Sequence, residues 1–118
     1  MTEWESQSDG WSGGTGPIPP SDAVDPEILP LVKRYVSNLP KRVDEFRDAL
    51  AGPDRERISV LAHQTKGVGT TYGYPMLTVI AARIEQAARE NASLDEITEL
   101  VDAFEFLTIR IATGISLT

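Results

Sequence analysis

The chain has 118 residues, 41% of them hydrophobic, which is enough for one domain with one modest core. Its net charge of −7 is concentrated at the amino end, because residues 1–25 hold five acidic side chains and no Lys or Arg, which leaves −2 for the rest. Nucleic acids and anionic membranes attract clustered cations, so the composition argues against both as partners.

The sequence also limits the cellular location and the chemistry. No apolar run approaches the ~18 residues that a membrane-spanning helix needs, and the amino terminus is acidic where a secretion signal would be basic. The chain has no cysteine, which excludes disulfides, thiol nucleophiles and thiolate metal sites. We therefore expect a cytoplasmic protein.

Residues 1–23 are rich in Gly, Ser, Pro and acidic side chains. Such a segment cannot bury enough apolar surface to fold, so the sequence predicts a disordered tail over 1–23 and one folded unit over 24–118. Trp4 and Trp11 interrupt the tail, and a docking segment around them is an alternative interpretation.

The first predicted helix begins with Asp25 as N-cap and Pro26 at the first helical position. It carries an apolar stripe at helical spacing: Leu29, Val32, Tyr35, Val36, Leu39, Val43, Phe46 and Leu50. The stripe passes through Pro40 without losing phase, so we expect one kinked helix, with two abutting helices as the alternative. Gly52 and Pro53 end it.

Two shorter helices are predicted next. One runs over residues 53–72 and ends at Gly73, with Ile58, Leu61, Thr65, Val68 and Tyr72 on its buried side. The other begins at Pro75 and fades at 89–91, with Leu77, Ile80, Ala81, Ile84, Ala87 and Ala88 on its buried side.

The last predicted helix begins at a capping box formed by Ser93 and Glu96, and Gly114 is expected to stop it. Its buried stripe is Ile97, Leu100, Val101, Phe104, Leu107, Thr108 and Ile111. Four amphipathic helices joined by short loops predict an all-α, antiparallel up-and-down four-helix bundle.

His63 is the only histidine in the chain. At 100° per residue it lies about 200° from Leu61, so it faces away from the core stripe of its own helix and is expected to be exposed. Side chains three, four or seven positions away share its face: Ser59, Lys66, Gly67 and Thr70.

Two glycines follow His63 inside this helix, although each costs roughly 1 kcal/mol relative to alanine. Gly67 lies on the exposed face, where it would leave a notch that lets a second protein approach the imidazole. Gly69 lies nearer the core, where it would allow close helix packing.

An exposed neutral imidazole nitrogen is a nucleophile toward phosphorus. A phosphoryl group in transfer carries charge on three equatorial oxygens, which an ammonium such as that of Lys66 stabilises. Ser59 and the other hydroxyls have no second histidine to act as base, and no Gly-rich nucleotide-binding loop is present. The pattern favours phosphoryl chemistry at His63.

Residues 63–73, HQTKGVGTTYG, resemble the pattern of the histidine-containing phosphotransfer (HPt) family. That pattern has a histidine, an apolar residue two positions later, Lys-Gly, a small residue, and a glycine ten positions beyond the histidine. Leu77 and the Ile84-Glu85 pair also stand where the family has them, and the resemblance covers residues 24–115. Thr65 departs from the usual Leu or Ile, and Val68 from a smaller residue.

The resemblance implies that His63 accepts a phosphoryl group, at Nε2, from an aspartyl phosphate of a receiver domain and passes it to another receiver. Lys66 would hold the phosphoryl group and Gly67 would give the receiver room. The partner-binding face would include Gln64, Ser59 and Thr70. The expected partners are response-regulator receiver domains, a hybrid histidine kinase, or both.

The resemblance further implies a covalent relay intermediate with no kinase activity of its own. The chain would bind no cofactor, since Mg²⁺ would be held by the receiver, and it is expected to act as a monomer. A competing hypothesis is a helical adaptor that binds partners through the His63 face without being phosphorylated. A metal or haem site would need more ligands than one histidine supplies.

Overall fold

The computed structural model describes residues 16–21 and 24–116, and helices are the only regular elements in this part of the chain. A 3₁₀ turn at Pro26–Ile28 precedes five helices: α1 (Leu29–Ser37), α2 (Leu39–Ala51), α3 (Arg55–Gly69), α4 (Pro75–Arg89) and α5 (Leu94–Ser116). Helices α2 to α5 pack in sequence, and α5 closes the ring against α2. The predicted all-α four-helix bundle is confirmed.

Two abutting helices replace the kinked helix that the sequence favoured. Asp25 caps the 3₁₀ turn as predicted, accepting the Glu27 amide at 2.9 Å. Helix α1 ends at Ser37, and the Asn38 side chain donates to the Arg34 carbonyl oxygen at 3.1 Å. Pro40 lies in the first turn of α2, where its missing amide proton breaks no helical hydrogen bond, so it begins a helix instead of bending one.

Helix α3 is shorter than predicted at both ends. Asp54 accepts the Arg57 amide at 3.0 Å, which makes it the N-cap and starts the helix at Arg55 instead of Pro53. The helix ends at Gly69, and Gly73 closes the turn that follows with φ of +89°, a conformation that favours glycine.

Helix α5 begins as predicted but does not end where predicted. The Ser93 hydroxyl accepts the Glu96 amide at 3.1 Å, as expected for an N-cap. Gly114 does not stop the helix, which continues to Ser116. Its missing side chain instead makes room for the backbone of Ile18, which a Cβ at Gly114 would meet at the Ile18 carbonyl.

Residues 16–21 form an amino-terminal strap that lies on the bundle. Ile18 is buried, and its amide donates to the Arg110 carbonyl oxygen on α5 at 3.0 Å. The Ser21 amide donates to the Gly73 carbonyl oxygen at 2.9 Å. Residues 16–21 of the predicted tail 1–23 thus lie on the bundle, while residues 1–15, with both tryptophans, and 22–23 lie outside the part of the chain that the structure describes.

The core follows the predicted stripes. The largest fully buried side chains come from all parts of the bundle: Tyr74, Phe46, Phe104, Ile58, Leu77, Ile80, Ile84, Ile97, Leu107, Ile111, Val32 and Val101. Val68, predicted to be buried, is 38% exposed. Within residues 16–21 and 24–116, no helix is both long enough and apolar enough to cross a membrane.

Gly114→Ala and Gly67→Ala are expected to change stability in opposite directions. A methyl group at Gly114 meets the Ile18 backbone and displaces the strap, whereas one at Gly67 has no atom within 4 Å. We expect Gly114→Ala to lower the free energy of unfolding by about 1–3 kcal/mol and Gly67→Ala to raise it by about 0.5–1 kcal/mol. Denaturant unfolding of both variants measures this, and equal shifts would contradict the strap contact.

Candidate functional site

His63 projects from the middle of α3, with 65% of its side chain exposed. Its Nδ1 lies 3.0 Å from Oε2 of Glu85 on α4. The ring is therefore fixed through one nitrogen, while no described side chain occupies hydrogen-bonding distance of Nε2. The predicted exposure of His63 agrees with this placement.

Glu85 is the buried centre of the site. Only 5% of its side chain is exposed, yet it contacts three basic groups. Oε1 accepts from Lys66 Nζ at 2.7 Å, and Oε2 forms an ion pair with Arg89 Nη2 at 2.9 Å in addition to its contact with His63. A buried carboxylate is costly unless it is paired and hydrogen bonded, and here both oxygens are occupied.

The charge state of Glu85 decides which nitrogen of His63 carries the proton. The hydrogen bond from Lys66 outweighs the effect of desolvation and, with the hydrogen bond from His63 and the positive charge of Arg89, holds the pKa of Glu85 below its ordinary value. The carboxylate is therefore ionised at neutral pH and can only accept hydrogen bonds. Nδ1 must then be the protonated nitrogen, which leaves the Nε2 lone pair of the neutral ring directed to solvent.

Lys66 stands one turn after His63 on the same helix, and its ammonium is held beside the imidazole by Glu85. Its side chain is 35% exposed, and only one of its three N–H donors is needed for Glu85. The remaining donors are available to an anion that approaches this face of α3. The ion pair with Glu85 thus fixes the position of the Lys66 ammonium and leaves two of its N–H donors available.

Arg89 and Ser59 complete the α4 side of the site. Arg89 Nε donates to the Ser59 hydroxyl at 3.2 Å while Nη2 binds Glu85. Ser59 lies one turn before His63, so the cations Lys66 and Arg89 flank the imidazole along the axis of α3. Ser59, predicted as a partner-binding residue, is placed here as a support for Arg89.

The predicted glycines occupy different environments. Gly67 is exposed, and a Cβ there would have no neighbour within 4 Å. Gly69 is buried, and a Cβ there would lie 2.8 Å from Thr78 Oγ1 and 3.1 Å from the Tyr74 carbonyl oxygen. Gly69 therefore permits the close approach of α4, while Gly67 leaves the surface beside His63 open.

Thr70 and Gln64 are exposed but lie apart from the Glu85 cluster. The Thr70 amide donates to the Thr78 hydroxyl at 3.2 Å, and that hydroxyl donates to the Lys66 carbonyl oxygen at 3.1 Å. Gln64 points toward α2, where its Oε1 accepts from Arg42 Nη1 at 3.2 Å. The α4 side of the site therefore holds the buried Glu85 carboxylate, whereas on the α2 side the charged neighbour of α3 is Arg42.

Sequence reasoning did not assign roles to Glu85 and Arg89. A signal was present, because Glu85 falls in phase with Ala81, Ile84 and Ala88, a buried stripe in which a lone acidic residue is unusual. An acid in such a stripe needs a partner on the facing helix, and His63 and Lys66 were the basic groups available there. The position of Glu85 in the buried stripe was not enough to predict that it would contact both His63 and Lys66.

The site is not arranged for a metal ion. Across residues 16–21 and 24–116, no cluster of three or more His, Asp or Glu side chains is placed to hold one. The Glu85 oxygens are already bound by Lys66, Arg89 and His63. Because Lys66 and Arg89 are the charged groups around Glu85 and His63, the site suits an anion better than a cation.

Together, the fold and the site define an α-helical bundle that presents one surface imidazole between basic side chains. A family model described as "Hpt domain" matches residues 30–113, and the chain belongs to that family. Hpt domains act in two-component phosphorelays, as phosphotransfer carriers that work with response-regulator and kinase proteins. Comparison with curated proteins and with solved structures returned no match.

Glu85→Gln is expected to reduce stability in a pH-dependent way. The folded pKa of Glu85 lies below its ordinary value of 4.5, so the carboxylate stabilises the native state fully above that value and loses this effect as pH falls through the folded pKa. We expect a loss of about 1–3 kcal/mol at pH 7 that shrinks toward pH 3.

Denaturant unfolding between pH 7 and pH 3 measures the difference. Glu90→Gln is the matched control, because Glu90 is exposed at the end of the same helix. A difference between wild type and Glu85→Gln that stays constant with pH would contradict the ion-pair assignment.

Proposed function

We propose that this chain relays a phosphoryl group between aspartyl-phosphate receiver domains through phospho-His63. The observation that carries the proposal is the exposed imidazole whose Nδ1 binds the buried Glu85 carboxylate, with Lys66 bound to the same carboxylate. Family membership supports phosphotransfer in general, and this geometry supports His63 as the residue that receives the group.

In the proposed step, the Nε2 lone pair attacks the phosphorus of an aspartyl phosphate. The N–P bond forms as the O–P bond breaks, and the leaving aspartate keeps the bonding electron pair. The ring gains positive charge as its lone pair is used, and the ionised Glu85 at Nδ1 stabilises that charge without any proton transfer. The reverse step on a second receiver regenerates neutral His63.

Lys66 and Mg²⁺ have separate roles in the proposal. Lys66 contributes hydrogen bonds to the equatorial oxygens of the phosphoryl group, where charge is concentrated during transfer. Mg²⁺ is expected on the acidic cluster of the receiver, so this chain needs no metal of its own. Such a carrier has no autonomous kinase activity, because the phosphorylated partner supplies the reactive bond.

Incubation with a phosphorylated cognate receiver and Mg²⁺ is expected to label this chain in an acid-labile, alkali-stable form, as a phosphohistidine requires. His63→Gln should abolish the label, and Lys66→Gln should slow its appearance about 10- to 100-fold. Arg57→Gln, which removes an exposed cation of the same helix paired with Asp48, should leave the rate unchanged. Labelling that persists in His63→Gln would exclude His63, and stable binding without any label would favour the adaptor alternative.

Gly67→Arg is expected to slow transfer from a receiver while leaving the fold nearly unchanged. A Cβ at position 67 has no atom within 4 Å, so the added side chain starts in open space beside His63. Transfer kinetics and a thermal melt measure the two effects. Gly67→Ala is the small-substituent control, and an unchanged transfer rate in Gly67→Arg would remove the assigned role of Gly67.

A further inference from the structure

A cleft opens on the α2 side of α3, away from the Glu85 cluster. We call it the elbow cleft, because it lies where α1 and α2 meet at Asn38. It has a volume of about 130 Å³, and three apolar side chains, Tyr35, Leu39 and Val68, line it together with the polar Asn38, Arg42, Gln64 and Thr65. The role proposed for His63 does not use it.

Thr65 accounts for the open space. Its hydroxyl donates to the Leu61 carbonyl oxygen of its own helix at 2.8 Å, so the short side chain lies against α3. Thr65 lines the cleft. A longer aliphatic side chain would extend into the volume that Thr65 leaves empty.

The lining suits an apolar guest. Leu39 is buried, and the Tyr35 ring is stacked on Tyr72 with centroids 4.6 Å apart, so both walls are fixed. Val68 is 38% exposed at the edge, although the sequence predicted it to be buried. A volume near 130 Å³ is close to the ~150 Å³ of an apolar cavity that binds benzene, so the cleft can hold one side chain.

The surroundings of the cleft are basic. Residues 28–43 contain four Lys or Arg side chains and no Asp or Glu, although the whole chain has a net charge of −7. Arg34 and Lys41 are exposed on either side of Asn38, while Arg42, which lines the cleft, is paired with Glu45 at 3.5 Å. An acidic partner surface therefore fits this region by charge complementarity.

The cleft is also continuous with the face that carries His63. Gln64 lines it and directly follows His63, while Val68 lies one turn later on α3. Gly67, between them, adds no side chain to the surface. A protein that reaches Nε2 of His63 over Gly67 would therefore also cover the cleft.

We propose that the elbow cleft is a docking pocket for the receiver domain, whose acidic surface approaches residues 28–43 and inserts one aliphatic side chain between Leu39 and Val68. The proposal rests on the proposed phosphotransfer at His63 and names a determinant of partner choice for it. Thr65 is then the residue that keeps the pocket open.

Thr65→Leu tests the pocket by filling it. The full-length variant is compared with wild type in two reactions: labelling by phosphoramidate, a donor too small to need a docking surface, and transfer from the receiver that reacts fastest in a survey of the source genome's receivers. We expect unchanged labelling by phosphoramidate and a KM for the receiver raised about tenfold, since the guest side chain loses its burial. The kcat for transfer should stay the same.

Val68→Gln is the second variant, because it changes an exposed edge of the pocket and does not depend on repacking beneath Thr65. It should raise KM in the same direction. Lys41→Gln should raise KM at low salt and lose its effect at high salt. Thr113→Glu makes the same change in net charge on α5, which does not contact α3, and should leave KM unchanged.

The outcomes separate the two proposals. If wild type is labelled by neither donor, phosphotransfer at His63 is overturned and the pocket with it. If wild type is labelled by both donors while Thr65→Leu and Val68→Gln keep the wild-type KM, the pocket alone is overturned. Loss of phosphoramidate labelling in Thr65→Leu would also overturn it, because the pocket would then affect His63 itself.

Discussion

The pairing of the buried Glu85 carboxylate is the interaction on which the site depends. A charge with only 5% of its side chain exposed requires compensation from nearby cations. That requirement brings Lys66 and Arg89 to the two sides of one carboxylate, and it fixes the proton of His63 on Nδ1. The same contact therefore joins α3 to α4, holds the ammonium in place and leaves Nε2 free. The pairing that the buried Glu85 carboxylate requires thus produces the arrangement of His63 and Lys66 on which the proposed phosphotransfer rests.

The two sides of α3 are built differently, and small residues set the difference. On the α4 side, Gly69 lets the backbone of Thr78 approach closely, and the Thr78 hydroxyl bonds Lys66 and Thr70. This contact keeps Lys66 and Glu85 in register. On the α2 side, Thr65 is too short to fill its position, and the elbow cleft results. The tightly packed side thus positions the residues of the proposed chemistry, while the open side holds the proposed docking pocket.

Helical periodicity predicted the bundle, the core stripes and the exposure of His63, because burial of an apolar face is the main determinant of all three. The predictions of where helices end or bend were wrong at Gly114 and at Pro40. Gly114 was expected to end α5, but the helix continues past it and the backbone of Ile18 packs against it. Pro40 was expected to kink one long helix, but the first helix ends before Asn38 and Pro40 lies in the first turn of the next helix. Glu85 could be noticed as an acid in an apolar stripe, but its three partners come from two helices and are set by packing.

The departures from the family pattern fall on one side of the proposed phosphoacceptor. His63, Lys66, Gly67 and Glu85 agree with the family pattern that the sequence resembles and, Gly67 apart, lie toward α4, where the proposed transfer chemistry would restrict the choice of residue. Thr65 and Val68 depart from the pattern, and both line the cleft toward α2. Chemistry common to many carriers needs a fixed charge arrangement, whereas discrimination among similar receivers needs a surface that can vary without disturbing that arrangement. Helix α3 separates the cleft from the Glu85 cluster. The residue at position 65 can therefore change the shape of the proposed docking surface and leave the Glu85 cluster intact.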